Sequence, residues 1–362
     1  MRITFLTPYA STAGGIRVTA IYAQKLHERG HEVTVVSQSR PQPSWSRRIV
    51  GKLRNPGKKA GGKPPTKQLD FLGDRHIILD GLHPSKLADL PDADAVIGTW
   101  WETAFSVAAL PASKGRKFYF IQHHEVHKHL PSHISGGSYY LPLKKITISQ
   151  WLVDTMAALY GDTDTDLVEN SVDMDMFHAP ERDRQTRPTV GLLYARGPFK
   201  GLDISIKAIA RAKERVPGLQ VVAFGTPDLH PDLPLPADTV YHKQPAQSKI
   251  RDIYASCDVW LCGSRAEGFH LPPSEAMACG CPVVSTRIGG AVEIVTEGIN
   301  GYIVDVEDSA ALGDRLADVL MLPNDQWKAM SDAAFTRARS YTWDDATDKF
   351  EKILLTHCGF DS

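Results

Sequence analysis

Short apolar runs alternate with amphipathic stretches from the first residue. "RITFLT" leads through a Gly-Gly turn to "IRVTAIYAQKLHERG", whose apolar positions recur at helical spacing, and then to "HEVTVVS". Strand, helix, strand in this order implies a parallel sheet covered by helices on both faces. Gly30 is placed to end the first helix as its C′ glycine. Further strands are predicted at "RHIILD", "DAVIGTW", "KFYFIQ", "KITISQ" and "TDLVEN". The alternation then restarts with "TVGLLYA", Gly201 and the helix "LDISIKAIARAKERV", followed by strands "LQVVAFG", "TVYHK", "DVWLCGS", "CPVVST" and "GYIVDV". The pattern predicts two consecutive Rossmann-like, doubly wound α/β domains, residues 1–172 and 173–340, facing a central cleft that is the default ligand site. In the tail, Trp343, Ala346, Phe350 and Leu354 lie near helical spacing. A terminal helix over 341–362, packing back on the first domain, is therefore expected.

Length agrees with this division, because 362 residues exceed what one hydrophobic core usually organises. The formal net charge is -1, so no global field draws the chain to nucleic acid. Charge is instead concentrated locally. The stretch "PQPSWSRRIVGKLRNPGKKAGGKPPTKQL", residues 41–69, holds eight Lys or Arg and no acid. It is too rich in Gly, Pro and Lys to pack, and reads as a mobile basic loop or as a docking site for an anionic membrane surface or a charged acceptor. The five cysteines, Cys257, Cys262, Cys279, Cys281 and Cys358, show no C-x-x-C spacing and mostly sit in apolar contexts as buried thiols. Together with the absence of a signal core or of a run near the roughly 18 apolar residues of a membrane span, this favours a cytoplasmic protein, at most peripheral at the inner membrane face.

The chemistry concentrates in "SRAEGFHLPPSEAMACGCPVVST", residues 264–286. Pro272 and Pro273 suit the start of a helix. Glu267 then falls in the preceding loop and Glu275 in the first turn. Eight residues of helix would separate the two by about 12 Å, too far to share a proton. That separation suits an elongated polyol whose hydroxyls each carboxylate can accept from. Between them the backbone N–H groups of Gly268, Phe269, His270 and Leu271, with the helix N-terminus, offer donors to an anion. Sugar, phosphate and ribose in this order describe a nucleotide-sugar. Arg196 and Lys200, in "LLYARGPFKGLD", follow the first strand of the second domain. Two fixed cations at that edge could stabilise a leaving diphosphate.

In the first domain Gly14 and Gly15 let backbone approach a ligand closely. This is not G-x-G-x-x-G, and the second strand ends in Ser37 where a dinucleotide-binding unit carries an acid, which disfavours a nicotinamide enzyme. "FIQHHEVHKHLPSH" offers His123, His124, His127, His129 and His133, but Lys128 breaks the His-Glu-x-x-His spacing of a zinc site. His123 and His124 are expected at the sheet's C-terminal edge, lining a ligand site, with no metal bound.

The segments "GGIRVTAIYAQKLHERGHEVTVVS", "VENSVDMDMF" and "EGFHLPPSEAMACGCPVVSTRIGGAVEIV", with "EGINGYIVDVED" after it, together resemble the retaining glycosyltransferases of family 4, which have the GT-B fold. More weakly, "YFIQHHE" resembles the bacterial members that build surface polysaccharides. The resemblance implies that Glu267 contacts donor-sugar hydroxyls, Glu275 holds the ribose, and Arg196 and Lys200 bind the diphosphate. It further implies that Gly15 lets the first-domain loop approach the diphosphate and that His124 lines the donor-sugar and acceptor side. Two departures stand out: the family commonly spaces its Arg and Lys six apart, here four, and often has glycine where His270 stands. The implied activity is transfer of a hexose or deoxyhexose from a nucleotide-sugar to a lipid-linked or polysaccharide acceptor, with retention and without metal or other cofactor. A catalytically silent sugar- or nucleotide-binding subunit, or a hydrolase or epimerase on the same fold, are the alternatives.

Overall fold

The computed structural model describes residues 1–11, 14–39, 67–126 and 130–360. Most of the basic segment, together with His127 and His129, thus lies outside the described residues. The chain divides into two compact units, one made of 1–147, 155–168 and 347–362, the other of 148–154 and 169–346.

The first unit holds seven strands: β1 Arg2–Tyr9, β2 Glu32–Gln38, β3 His76–Leu79, β4 Ala95–Gly98, β5 Arg116–Ile121, β6 Lys144–Thr147 and β7 Asp166–Leu167. Their spatial order is β3-β2-β1-β4-β5-β6-β7, with every pairing parallel. The strands are near-continuous apolar runs because both faces are covered, and five successive residues of β1 and of β2 are buried. Helix Gly14–Glu28 follows β1 and stops before Gly30, whose φ of 90° lets its N–H reach the His27 carbonyl. The aromatic centre of this unit includes a residue from the end of the chain. Phe350, on helix Trp343–Cys358, stacks on Tyr22 at 4.5 Å between ring centroids and meets Phe120 edge-on at 5.3 Å. Beside it Glu351 accepts from His31 at 2.6 Å and pairs with Arg29 at 2.5 Å.

The second unit holds β8 Thr189–Tyr194, β9 Gln220–Gly225, β10 Val240–Lys243, β11 Val259–Cys262, β12 Val283–Thr286 and β13 Gly301–Val304. Their order is β10-β9-β8-β11-β12-β13, again all parallel. Helices Leu202–Arg215 and Ser309–Leu320 bury Ile204, Ala208, Leu312 and Leu316 against Val190, Leu192, Val259 and Leu261 of the sheet. Strand order reverses between β8 and β11. Open parallel sheets bind ligands outside the carboxyl ends of the strands at such a switch point. The loops leaving β8 and β11 are the two that carry Arg196, Lys200 and Glu267.

Candidate functional site

After β8 the chain makes a single 3-10 turn, Pro198–Lys200, closed by Gly201 at φ 53°. A Cβ at Gly201 would lie 1.7 Å from the Gly263 carbonyl oxygen, so only glycine lets this turn meet the loop leaving β11. The two loops are then stitched together by Arg265. Its backbone N–H donates to the Phe199 carbonyl at 2.7 Å, and its guanidinium grips both Asp203 oxygens at 2.8 and 2.7 Å and also pairs with Glu307. On the other side Gly289 and Gly290 close against the same loop. A Cβ on either would fall within 2.3 Å of a carbonyl oxygen, Glu267 O or Phe269 O respectively. Backbone that must run this close to backbone requires a glycine pair.

This framework places Lys200 directly on Glu267. The ammonium donates to both carboxylate oxygens, at 2.8 and 2.9 Å, and the Ser264 hydroxyl donates to Oε1 at 2.9 Å. His270 Nε2 stands 3.6 Å from the same oxygen. Glu267 is 5% exposed and His270 7%. Burial opposes ionisation of Glu267, but His270 and Lys200, with hydrogen bonds from Lys200 and Ser264, hold its carboxyl below the ordinary range. Burial also pushes His270 down to about 4, with Glu267 opposing and Lys200 adding to the drop. At neutral pH the site is therefore an ammonium, a carboxylate and a neutral imidazole.

His270 is the residue before helix Leu271–Ala278 and has left-handed backbone, φ 70° and ψ 68°. Side chains with a Cβ adopt this region at a cost, and the imidazole Nδ1 has no hydrogen-bond partner among the described residues. Leu271 and Pro272 open the helix, so Glu275 falls in its second turn and not, as the Pro-Pro pair suggests, in the first. Glu275 is buried, and its Oε2 accepts from the Tyr254 hydroxyl at 2.8 Å. Gly268 and Phe269 lie between the two glutamates with their carbonyls turned to the glycine pair, Gly290 N–H donating to Gly268 O at 3.0 Å. Arg196, unlike Lys200, is exposed and pairs with no carboxylate among the described residues.

In the first unit Gly14 and Gly15 open the helix after β1. Gln122, just past β5, donates to the Gly15 carbonyl at 3.1 Å, which ties the glycine turn to the histidine segment. A Cβ on Gly15 would come to 3.3 Å from Gln122 Oε1. His124 Nε2 lies 2.7 Å from the Tyr160 hydroxyl, and burial lowers its pKa, with His123 adding. Glu125 is deeply buried and accepts the Trp101 N–H at 2.9 Å; burial holds its carboxyl well above the ordinary range. Among the described residues no three metal-ligating side chains cluster. Burial pushes the thiols of Cys257 and Cys279 up to about 12, so neither is a nucleophile at neutral pH.

Sequence reasoning did not single out Ser264 and Tyr254, which bond to the two glutamates, or Gln122, which bonds to the Gly15 turn. Ser264 lies within the glutamate block and could have been found there. Tyr254 sits on helix Gln247–Ala255, and Gln122 is joined to Gly15 across the sheet, so neither carries a local signal.

Two parallel doubly wound sheets, with cationic and acidic side chains at the switch point of the second, define a GT-B protein. Residues 174–337, somewhat less than half of the chain, match the model of the family glycosyl transferases group 1. It is similar to the D-inositol 3-phosphate glycosyltransferase of Mycolicibacterium paratuberculosis, 28% identical over 204 residues that make 51% of this chain and 45% of the relative. The chain thus spans about half the length of the curated relatives it matches. The fold is that of HepE from Anabaena, crystallised with UDP and glucose, at a TM-score of 0.73 and 17% identity, covering 98% of this chain and 100% of that one. Sucrose-phosphate synthase from Thermosynechococcus elongatus gives the same TM-score at 14% identity and 98% coverage of both chains.

Proposed function

We propose that the chain transfers a hexose or deoxyhexose from a nucleotide-sugar to a hydroxyl of a lipid-linked or polysaccharide acceptor, with retention at the anomeric carbon. The observation that carries this reading is the pair of half-buried Lys200 and buried Glu267 at the β8/β11 switch point. Its chemistry matches the two parts of a donor: an ammonium for diphosphate, a carboxylate for sugar hydroxyls. The curated relatives are named as glycosyltransferases, and HepE was crystallised with UDP-glucose.

In this reaction the bond from the anomeric carbon to the diphosphate oxygen breaks while the acceptor oxygen bonds to the same face. The acceptor proton passes to the departing diphosphate. Lys200 and Arg196 stabilise the charge that develops there. Arg196, exposed and in no ion pair among the described residues, is available to a polyanion. Glu267 orients the reacting sugar, Glu275 holds the ribose, and His124 lines the sugar and acceptor side. No step needs a metal. Among the described residues no helix is long and apolar enough to cross a membrane; a peripheral site at an anionic surface would fit a lipid-linked acceptor.

The test is a thermal-shift panel of UDP, GDP, dTDP and ADP, followed by turnover of the matching nucleotide-sugar with and without acceptor. Acceptor-dependent release of nucleoside diphosphate supports transfer. Sugar released or isomerised without acceptor would identify a hydrolase or epimerase, and binding without turnover a silent subunit.

A further inference from the structure

Among the described residues Lys200 is the one lysine or arginine paired with Glu267, and two of its three N–H groups are spent on the carboxylate. The same ammonium is required at the diphosphate if the proposed function holds. A polyanion that draws Lys200 away leaves a carboxylate that is only 6% exposed in its side chain without a counter-charge. Uncompensated buried charge is strongly unfavourable, so either the carboxylate takes a proton itself or another group replaces the ammonium.

His270 is placed to do so. Its Nε2 is 3.6 Å from Glu267 Oε1, a small shift from a hydrogen bond. Its left-handed backbone is a strained choice for a residue with a Cβ, and it fixes the imidazole beside the carboxylate. Its Nδ1 is buried and makes no hydrogen bond among the described residues. The charged groups acting on the imidazole are Glu267, from its own loop, and Lys200, from the loop after β8. Cys262, at the end of β11, interacts with both, but burial drives its thiol so far up that it stays neutral. Departure of Lys200 removes one of the two causes that hold the imidazole uncharged and leaves the attraction of Glu267.

We propose that His270 is a positioning residue that exchanges with Lys200 as the partner of Glu267: when a diphosphate takes the ammonium, the imidazole takes a proton from solvent and holds the carboxylate in place. The inference rests on the reading of Lys200 as a diphosphate ligand. One N–H bond forms, the imidazole gains one positive charge, and the buffer supplies the proton.

Calorimetric titration of the full chain with UDP near neutral pH, in buffers of different ionisation enthalpy, counts the protons taken up per nucleotide bound. The wild type is expected to take up a substantial fraction of one proton beyond the nucleotide's own titration, and nitrogen-15 shifts of the histidine rings, with the His270 signal assigned from His270→Asn, are expected to place that proton on the imidazole and not on the Glu267 carboxyl. His270→Gly, which suits the left-handed backbone, serves as a second variant should the first fold poorly. A His270 ring whose nitrogen-15 shifts stay those of a neutral imidazole when UDP binds would overturn the exchange while leaving the diphosphate site intact. If UDP gives no heat, the titration is repeated with ADP, GDP and dTDP; no binding by any of them would sink the reading of the site and this inference with it.

Discussion

Replacing Lys200 by methionine keeps the length of the side chain and removes the ammonium from a carboxylate that is 5% exposed. The bare carboxylate does not stay bare, because it can take a proton. Protonating a carboxyl with an ordinary pKa of 4.5 costs about 1.4 kcal/mol for each pH unit above that value. The penalty of the bare carboxylate is therefore capped at about 3 kcal/mol at pH 7 and falls below about 1 kcal/mol at pH 5, and the stabilisation from the lowered wild-type pKa is lost in addition. The sign follows from the native pair: Glu267 has a lowered pKa in the wild type, so its contribution is present above 4.5 and is lost as pH falls through the folded value. In Lys200→Met its pKa is raised, and the loss grows as pH rises. His270 offers the proton a second resting place, so the full loss is expected only with His270→Asn in the background. Urea unfolding followed by the fluorescence of buried Trp260 and Trp327, at both pH values and in both backgrounds, gives the cycle. A loss equal at the two pH values, or equal in the two backgrounds, would refute the charge argument and assign the effect to packing.

His270 sets a second acid-sensitive window. With its folded pKa near 4 and its ordinary value at 6.5, the native state withholds a proton that the unfolded chain binds. Stability should drop by about 3 kcal/mol as pH falls from 6.5 to 4, and His270→Asn should flatten that part of the urea-midpoint profile. Gly201→Ala should prevent the second unit from folding, since its Cβ would sit 1.7 Å from the Gly263 oxygen; soluble protein with wild-type circular dichroism would contradict the loop geometry. Glu275→Gln is expected to weaken nucleoside diphosphate binding by about tenfold to a hundredfold, as loss of a charged hydrogen bond does, whereas Glu267→Gln should chiefly lower turnover. Equal effects of the two on affinity, with turnover spared, would count against that division of roles.

The thirteen strands among the described residues were legible in the sequence, the central ones because parallel strands covered on both faces are uninterrupted apolar runs such as "TVGLLY" and "QVVAFG". The chemistry was legible as residue types and not as contacts. Arg196 and Lys200 read as a pair of cations on one loop. What the spacing did not show is that the turn Pro198–Lys200 and the left-handed Gly201 place Lys200 on Glu267 while Arg196 is exposed. No local pattern could show that ion pair: its partners are 67 residues apart and meet only because β8 and β11 are neighbours in the sheet. The backbone of His270 was equally hidden, since sequence preferences put glycine or asparagine, not histidine, at φ 70°. Tyr254, 21 residues before the glutamate it holds, gave no signal at all.

The position of Phe350 in the first unit's aromatic core has a consequence for the order of synthesis. Residues 1–168 emerge from the ribosome long before the helix that supplies Phe350 and Glu351, because 169–346 must be made in between. At about 5–20 residues per second that interval is on the order of 10–35 s. During it Tyr22 and Phe120 lack the ring that covers them, and Arg29 lacks its acidic partners. The second unit can close as soon as its own strands are out, so the unit begun first is the one completed last. A nascent chain halted before 347 should present the first unit in a protease-sensitive form, and a peptide spanning 343–360, added in trans, should protect it.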